Sequence, residues 1–359
     1  MGRSFLLARI AGIKILLHWT FLLLLGFIVF SEIRQGGDTT AVLATVGFVV
    51  ALFGCVVLHE LGHSLMARRY GIKTHHITLL PIGGVASLER IPENPWQELW
   101  VALAGPAVNV VIALALYPFI TSFAPFSGSG IGSFATSQGF LHSLFRVNVA
   151  LVVFNAFPAF PMDGGRVLRV LLAMRLGRVR ATAVAAGLGK LIAVGFVFFG
   201  LFNSPFLVLI GIFVFFGAHS EYVAVQHIDL LQGYTVRQAM MTNFVTLAPT
   251  DTVLVAANKL LSGSDQDLVV VENERAVGVM TRFLIIESLR ANRAAVPVAE
   301  VMSRKFETVD IGAGLSGVYD LAKRTLNAFY PVLENQRFRG VIDQNNIDEF
   351  LKIRAALAR

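Results

Sequence analysis

The chain has 359 residues, 55% hydrophobic and 15% charged, with a positive mean hydropathy; that balance excludes an ordinary soluble globular protein and fits a membrane protein of several spans. The formal net charge of +7 comes from Lys and Arg spread through connections and at the ends of apolar runs, a pattern of topology signals that argues against nucleic acid as a partner. With one cysteine, Cys55, no intrachain disulfide can form, and that residue reads as packing.

Met1 to Lys14 carries Arg3, Arg9 and Lys14, and Ile15 to Phe30 is the first expected span, read as retained because no small-residue cleavage site follows it. The positive-inside rule puts the N-terminus in the cytoplasm. His18, beside Trp19, reads as interfacial. Ser31 to Thr40 lacks a basic excess and suits the outer face. A second span from about Ala41 to Ala67 runs inward and ends in Arg68, Arg69 and Lys73.

Near the inner end of that span stands Leu58-His59-Glu60-Leu61-Gly62-His63. Histidines four residues apart on a helix are separated by roughly 40° around its axis, so both imidazoles can reach one metal ion, and Glu60 lies where a carboxylate can take a proton from a zinc-bound water. A satisfied polar cluster without metal is the alternative; ionisable groups inside a hydrocarbon-length run favour the functional reading. Gly71 to Pro95, with Gly83 and Gly84, is too short and broken to span and reads as short strands or a re-entrant hairpin. His75 and His76 read as interfacial.

Trp96 to Phe119 is the third span, in which Ala104-Gly105-Pro106 permits close helix packing and Asn109 reads as interhelical glue. Ile120 to Gln138 holds no charge and reads as an outer loop. The fourth span, Gly139 to Phe157, includes Arg146 and Asn148 and is broken at Asn155-Ala-Phe-Pro158-Ala-Phe-Pro161-Met-Asp163-Gly-Gly-Arg166. Asp163 is the candidate third zinc ligand, since a catalytic zinc takes three side chains and keeps one position open; the alternative is a cap for the helix from Arg166 to Met174. The five arginines between 166 and 180 read as a cytoplasmic segment. Thr182 to Phe202 and Pro205 to Tyr222 complete six spans.

After His227 hydropathy drops and a duplication appears: Val236 and Val298, Met240 and Met302, Thr246 and Thr308, Gly278 and Gly340, and Leu289 and Leu351 are each 62 positions apart. Each copy reads as strand, helix, short strand, Gly-Val strand and closing helix. The expected organisation is therefore a multi-span α-helical membrane domain with a membrane-embedded β-hairpin at 1–226, followed by soluble α/β modules at 227–293 and 294–359.

His59-Glu60-Leu61-Gly62-His63, Ala104-Gly105-Pro106 with Asn109, Asn155 with Pro158, Pro161 and Asp163-Gly164-Gly165, and the Pro81-Ile-Gly83-Gly84 hairpin together resemble the site-2 protease family of intramembrane zinc metalloproteases. The duplicated module resembles a pair of cystathionine-β-synthase-type (CBS) domains, as in the subgroup that includes the protease processing a sporulation sigma factor. The resemblance implies one Zn2+ per chain held by His59, His63 and Asp163, Glu60 as base, and a membrane-spanning protein substrate, with Asn155 close to the metal to hold substrate or stabilise the oxyanion and with Gly83, Gly84 and Asn109 on the substrate side. It also implies a multi-pass protein of the cell membrane with cytoplasmic CBS domains that pair into a homodimer. CBS pairs commonly bind adenine nucleotides through a Ser or Thr after the Gly strand and an Asp three residues on. Here those positions hold Thr281 and Leu284, then Asp343 and Asn346, so ATP or AMP binding is expected to be weak or absent. A silent scaffold and a transporter gated by such domains are the competing readings; the first predicts loss of a ligand or the base, the second polar residues along several spans, and neither pattern is present.

Overall fold

The computed structural model describes residues 4–81, 83–89, 92, 94–121, 137–262, 267–324 and 329–357, so most of the expected outer loop at 120–138 lies outside the described residues. The chain divides into two compact units, Met1–Val225 and Gln226–Arg359.

The first unit opens with strands β1 (Ser4–Ile10) and β2 (Ile13–His18), joined by a tight turn with Ala11 and Gly12 at positive φ. Helix α1 (Trp19–Arg34) follows, with the His18 imidazole accepting from the Thr20 amide as its N-cap. The expected first span at 15–30 is thus corrected: its first four residues are strand. Apolar runs do not separate strand from helix by periodicity alone, and what decides is pairing to a distant segment, β2 lying parallel to β3 with Lys14 opposite His76.

Helix α2 (Thr39–Arg69) is 31 residues long, N-capped by the Asp38 carboxylate. At 1.5 Å per residue it extends about 46 Å, more than a bilayer's hydrocarbon thickness of about 30 Å. Strands β3 (Thr74–Leu80) and β4 (Gly83–Leu88) form the expected hairpin, and the sheet runs β1-β2-β3-β4, leaving β4 an edge. Ile13, Ile15, Ile77 and Leu79 pack from this sheet onto Phe21, Phe53, Val57 and Leu61 of α1 and α2.

Next come α3 (Pro95–Thr121), α4 (Ser137–Ala156), α5 (Asp163–Leu176), α6 (Arg178–Asn203) and α7 (Pro205–Leu231). Among the described residues, α2, α3, α4, α6 and α7 are long and apolar enough to cross a membrane; α1, expected as a sixth, is apolar but has 16 residues. Large apolar side chains point outward along these helices, Phe27 being 68% and Phe202 74% exposed, as a hydrocarbon surrounding allows. The molecule is a multi-pass membrane protein.

In the sequence, the arginines after Asp163 read only as marking a cytoplasmic segment. One of them, Arg169, is 1% exposed. Its Nε donates to Glu98 Oε1 at 2.8 Å and its Nη2 contacts the same oxygen, while Nη1 lies 3.6 Å from Glu221. Arg166 reaches Glu221 at 3.6 Å, and the Arg169 guanidinium sits 4.9 Å over the Phe160 ring. These contacts tie α5 to α3 and α7.

The second unit holds two similar three-stranded sheets. The first repeat comprises β5 (Thr246–Leu247), α8 (Val253–Ser262), β6 (Asp267–Glu272), β7 (Arg275–Thr281) and α9 (Arg282–Arg290). The second comprises β8 (Val309–Asp310), α10 (Leu315–Arg324), β9 (Phe329–Glu334), β10 (Arg337–Asp343) and α11 (Gln344–Leu357). The 62-residue period reappears in the starts of α8 and α10, β6 and β9, β7 and β10, and α9 and α11. Each repeat also lends its leading segment to the other. Val236 packs with Val332 and Leu351 of the second core, Val298 with Leu247 and Val270 of the first, and Met241 bridges to Val341 as Ser303 does to Val279.

Candidate metal centre

The spacing on α2 brings His59 and His63 together as expected, their Nε2 atoms 3.0 Å apart. Asp163, the first residue of α5, points its Oδ2 at both, 3.2 Å from His59 Nε2 and 3.1 Å from His63 Nε2. All three residues are buried.

The hydrogen bonds behind the imidazoles decide which atoms face inward. Asn148 Nδ2 donates to the Leu144 carbonyl at 2.8 Å, so its Oδ1 accepts from Asn109 Nδ2 at 2.9 Å. That leaves Asn109 Oδ1 as acceptor toward His59 Nδ1 at 2.5 Å, and the Val101 carbonyl, which can only accept, faces His63 Nδ1 at 2.7 Å. In the neutral ring each Nδ1 therefore carries the proton, and each Nε2 presents its lone pair inward. Two lone pairs and a carboxylate oxygen converge, and Asp163 Oδ2 has no hydrogen-bond donor.

A divalent cation resolves this convergence. Tetrahedral coordination at about 2.0–2.2 Å places donors about 3.3–3.6 Å apart, close to the separations seen. Space is reserved as well: a Cβ on Gly105 would lie 2.2 Å from His63 Nε2 and 2.8 Å from His59 Nε2. The residues present fit Zn2+.

Asp163 is held by close backbone packing. A Cβ at Gly164 would meet the Phe157 carbonyl oxygen at 2.2 Å, so the first turn of α5 can lie against the broken end of α4 only with glycine there. Asp163 opens α5 behind Met162 as N-cap, so the alternative role as a cap for that helix is not the one it takes. Glu60, on the same turn as the histidines, lies against β4, where a Cβ at Gly84 would sit 2.7 Å from the Glu60 Cγ. Gly83 takes φ +139°, which L side chains rarely adopt.

Asn155 and Asp163 line one cavity between α3, α4 and α5. Asn109, expected on the substrate side, is fully buried behind His59. Its partner Asn148, which also donates to Cys55 Sγ at 3.4 Å, was missed as a site residue; an asparagine in the middle of a membrane span was its signal. His75 and His76 lie on β3, outside the cluster of metal-binding groups found among the described residues.

Residues 47–200 match peptidase family M50 and residues 236–291 match the CBS domain. A zinc metalloprotease of Methanocaldococcus jannaschii is 37% identical over 279 residues, 77% of this chain and 78% of the relative. A putative zinc metalloprotease of Synechocystis is 28% identical over 99% of this chain and 97% of the relative. The solved site-2 protease from M. jannaschii, 39% identical, covers 61% of this chain and 95% of that one with a TM-score of 0.47. The identity and coverage of the first relative show that this chain belongs to peptidase family M50, the site-2 protease family of zinc metalloproteases, and carries CBS domains after its membrane unit.

Proposed function

We propose that the chain cleaves a membrane-spanning segment of another protein, with His59, His63 and Asp163 as zinc ligands and Glu60 as general base. The observation that carries this reading is the convergence of two imidazole Nε2 atoms and a carboxylate oxygen at 3.0–3.2 Å, with Glu60 on the same helical turn as the histidines. Bound zinc supplies Lewis acidity toward the scissile carbonyl and its water. Glu60 takes the water's proton and delivers it to the leaving amine. Asn109 holds the His59 ring, and Asn155 contacts the substrate backbone near the scissile bond. The free edge of β4, kept slim by Gly83 and Gly84, receives the unwound substrate as an added strand.

The positive-inside rule supports cytoplasmic termini and an inward-facing site in the cell membrane. The segments 227–293 and 294–359 act as CBS modules that dimerise the protein or dock its substrate. Weak nucleotide binding is supported by local geometry: Thr281 caps α9 by accepting from the Leu284 amide, and Asp343 and Asn346 bond each other's backbone amides. Over Gly278, Met302 occupies the space that a Cβ would take. Calorimetric titration of the full chain with ATP and AMP is expected to give no micromolar binding, and a micromolar dissociation constant would refute this.

The test of the proteolytic reading is co-expression with tagged single-span proteins. Glu60→Gln is expected to retain zinc and abolish the fragments, whereas His63→Ala loses both. Fragments that persist in Glu60→Gln would remove the base from the mechanism.

A further inference from the structure

A cavity of about 260 Å3 opens between α3, α4 and α5. Leu103, Val152, Val167 and Leu171 make its walls, with Asn155 and Asp163 as its polar members. Asp163, Val167 and Leu171 follow one another at intervals of four on α5 and so form one stripe along the helix. The stripe begins at the zinc ligand and continues as apolar wall. On α3, Pro106 lines the same cavity immediately after Gly105, whose backbone faces both imidazoles. Leu103 and Leu171 are 41% and 56% exposed and stand at its open mouth.

A group bonded to an atom at the metal would therefore find an apolar trough directly beside it. The volume falls just below the roughly 300–1,000 Å3 usual for whole-ligand sites, so a side chain fits it better than a lipid molecule does. Nothing in the mechanism above uses Val167 or Leu171.

We infer that this cavity is a specificity subsite, taking the apolar side chain of the substrate residue next to the scissile bond, with Val167 and Leu171 setting the size it accepts. The inference rests on the proteolytic reading and adds a substrate preference: a large aliphatic or aromatic residue at one position flanking the cleaved bond. Apolar pockets discriminate by roughly 10- to 200-fold for one missing methylene, so leucine over alanine is expected to fall within or above that range.

The test uses the purified full-length chain, its zinc content measured, with single-span substrates that differ only in carrying Ala, Leu or Phe on either side of the cleaved bond. Wild type is expected to favour Leu or Phe over Ala in kcat/KM at one of the two positions. Val167→Phe fills the trough and is expected to lower that preference by roughly tenfold or more while zinc content is kept. An equal fall for every substrate, or no side-chain preference in wild type, would overturn the subsite while leaving the protease reading intact. Lack of any Glu60-dependent cleavage across the panel would instead defeat the protease reading and the subsite with it. A second readout needs no turnover: p-benzoylphenylalanine introduced at Leu171 in the Glu60→Gln chain is expected to crosslink to the residue flanking the scissile bond. Crosslinks to phospholipid alone would show a lipid groove and end the proposal.

Discussion

An imidazole can give a metal only the nitrogen that its other nitrogen leaves free, so the histidine spacing on α2 supplies half of the centre and the acceptors behind it supply the rest. The spacing was legible in the sequence because both residues share one helix. The acceptors were not, since the Val101 carbonyl and the Asn109 amide meet the histidines only through the packing of α2 on α3. Outer hydrogen bonds of this type change metal affinity by about 10- to 100-fold. Asn109→Ala is therefore expected to lower zinc affinity by about that factor, measured as zinc retained against a competing chelator. Asn155→Ala should retain zinc like wild type, because Asn155 lines the cavity beside Asp163 and is not among the grouped donors.

At the scale of elements, α2, α3, α4, α6 and α7 were readable from hydropathy and length, and the hairpin from its glycines. β2 was not readable, because its apolar residues continue into α1 without a break and only pairing with β3 sets it apart. Nor was the buried role of Arg169: an arginine-rich segment after a span is normally a topology signal, and its acidic partners Glu98 and Glu221 lie far away in sequence. Removing one member of a buried ion pair costs about 3–5 kcal/mol, whereas replacing the pair by apolar groups is often close to neutral. Arg169→Leu is accordingly expected to lower the thermal midpoint in detergent markedly, and Glu98→Leu combined with Arg169→Leu to recover much of the loss. A double variant as unstable as the single one would mean that the charges do more than neutralise each other.

For the whole molecule, the second unit declared itself through its 62-residue period, which survives in the starts of paired helices and strands. The exchange of leading segments between repeats was beyond sequence reasoning, because Val236 and Val298 occupy equivalent positions in the duplication and nothing local says which core each enters. In the membrane unit the centre is defined as much by missing side chains as by present ones. Gly105 and Gly164 stand where a methyl group would collide with an imidazole or a carbonyl at about 2.2 Å, while Gly26, Gly47, Gly54, Gly187 and Gly195, in comparable helices, have nothing within 4 Å of the same position. Alanine at an open helical glycine removes a cost of roughly 0.5–1 kcal/mol. A saturation-mutagenesis map scored by retained zinc should consequently set Gly105 and Gly164, where alanine is not tolerated, apart from the open helical glycines, where it is neutral or an improvement; Gly189, Gly200 and Gly211, crowded at 2.1–2.8 Å by segments away from the centre, should lose thermal stability with alanine instead. Such a map would outline the reaction chamber from its negative space, without a substrate in hand.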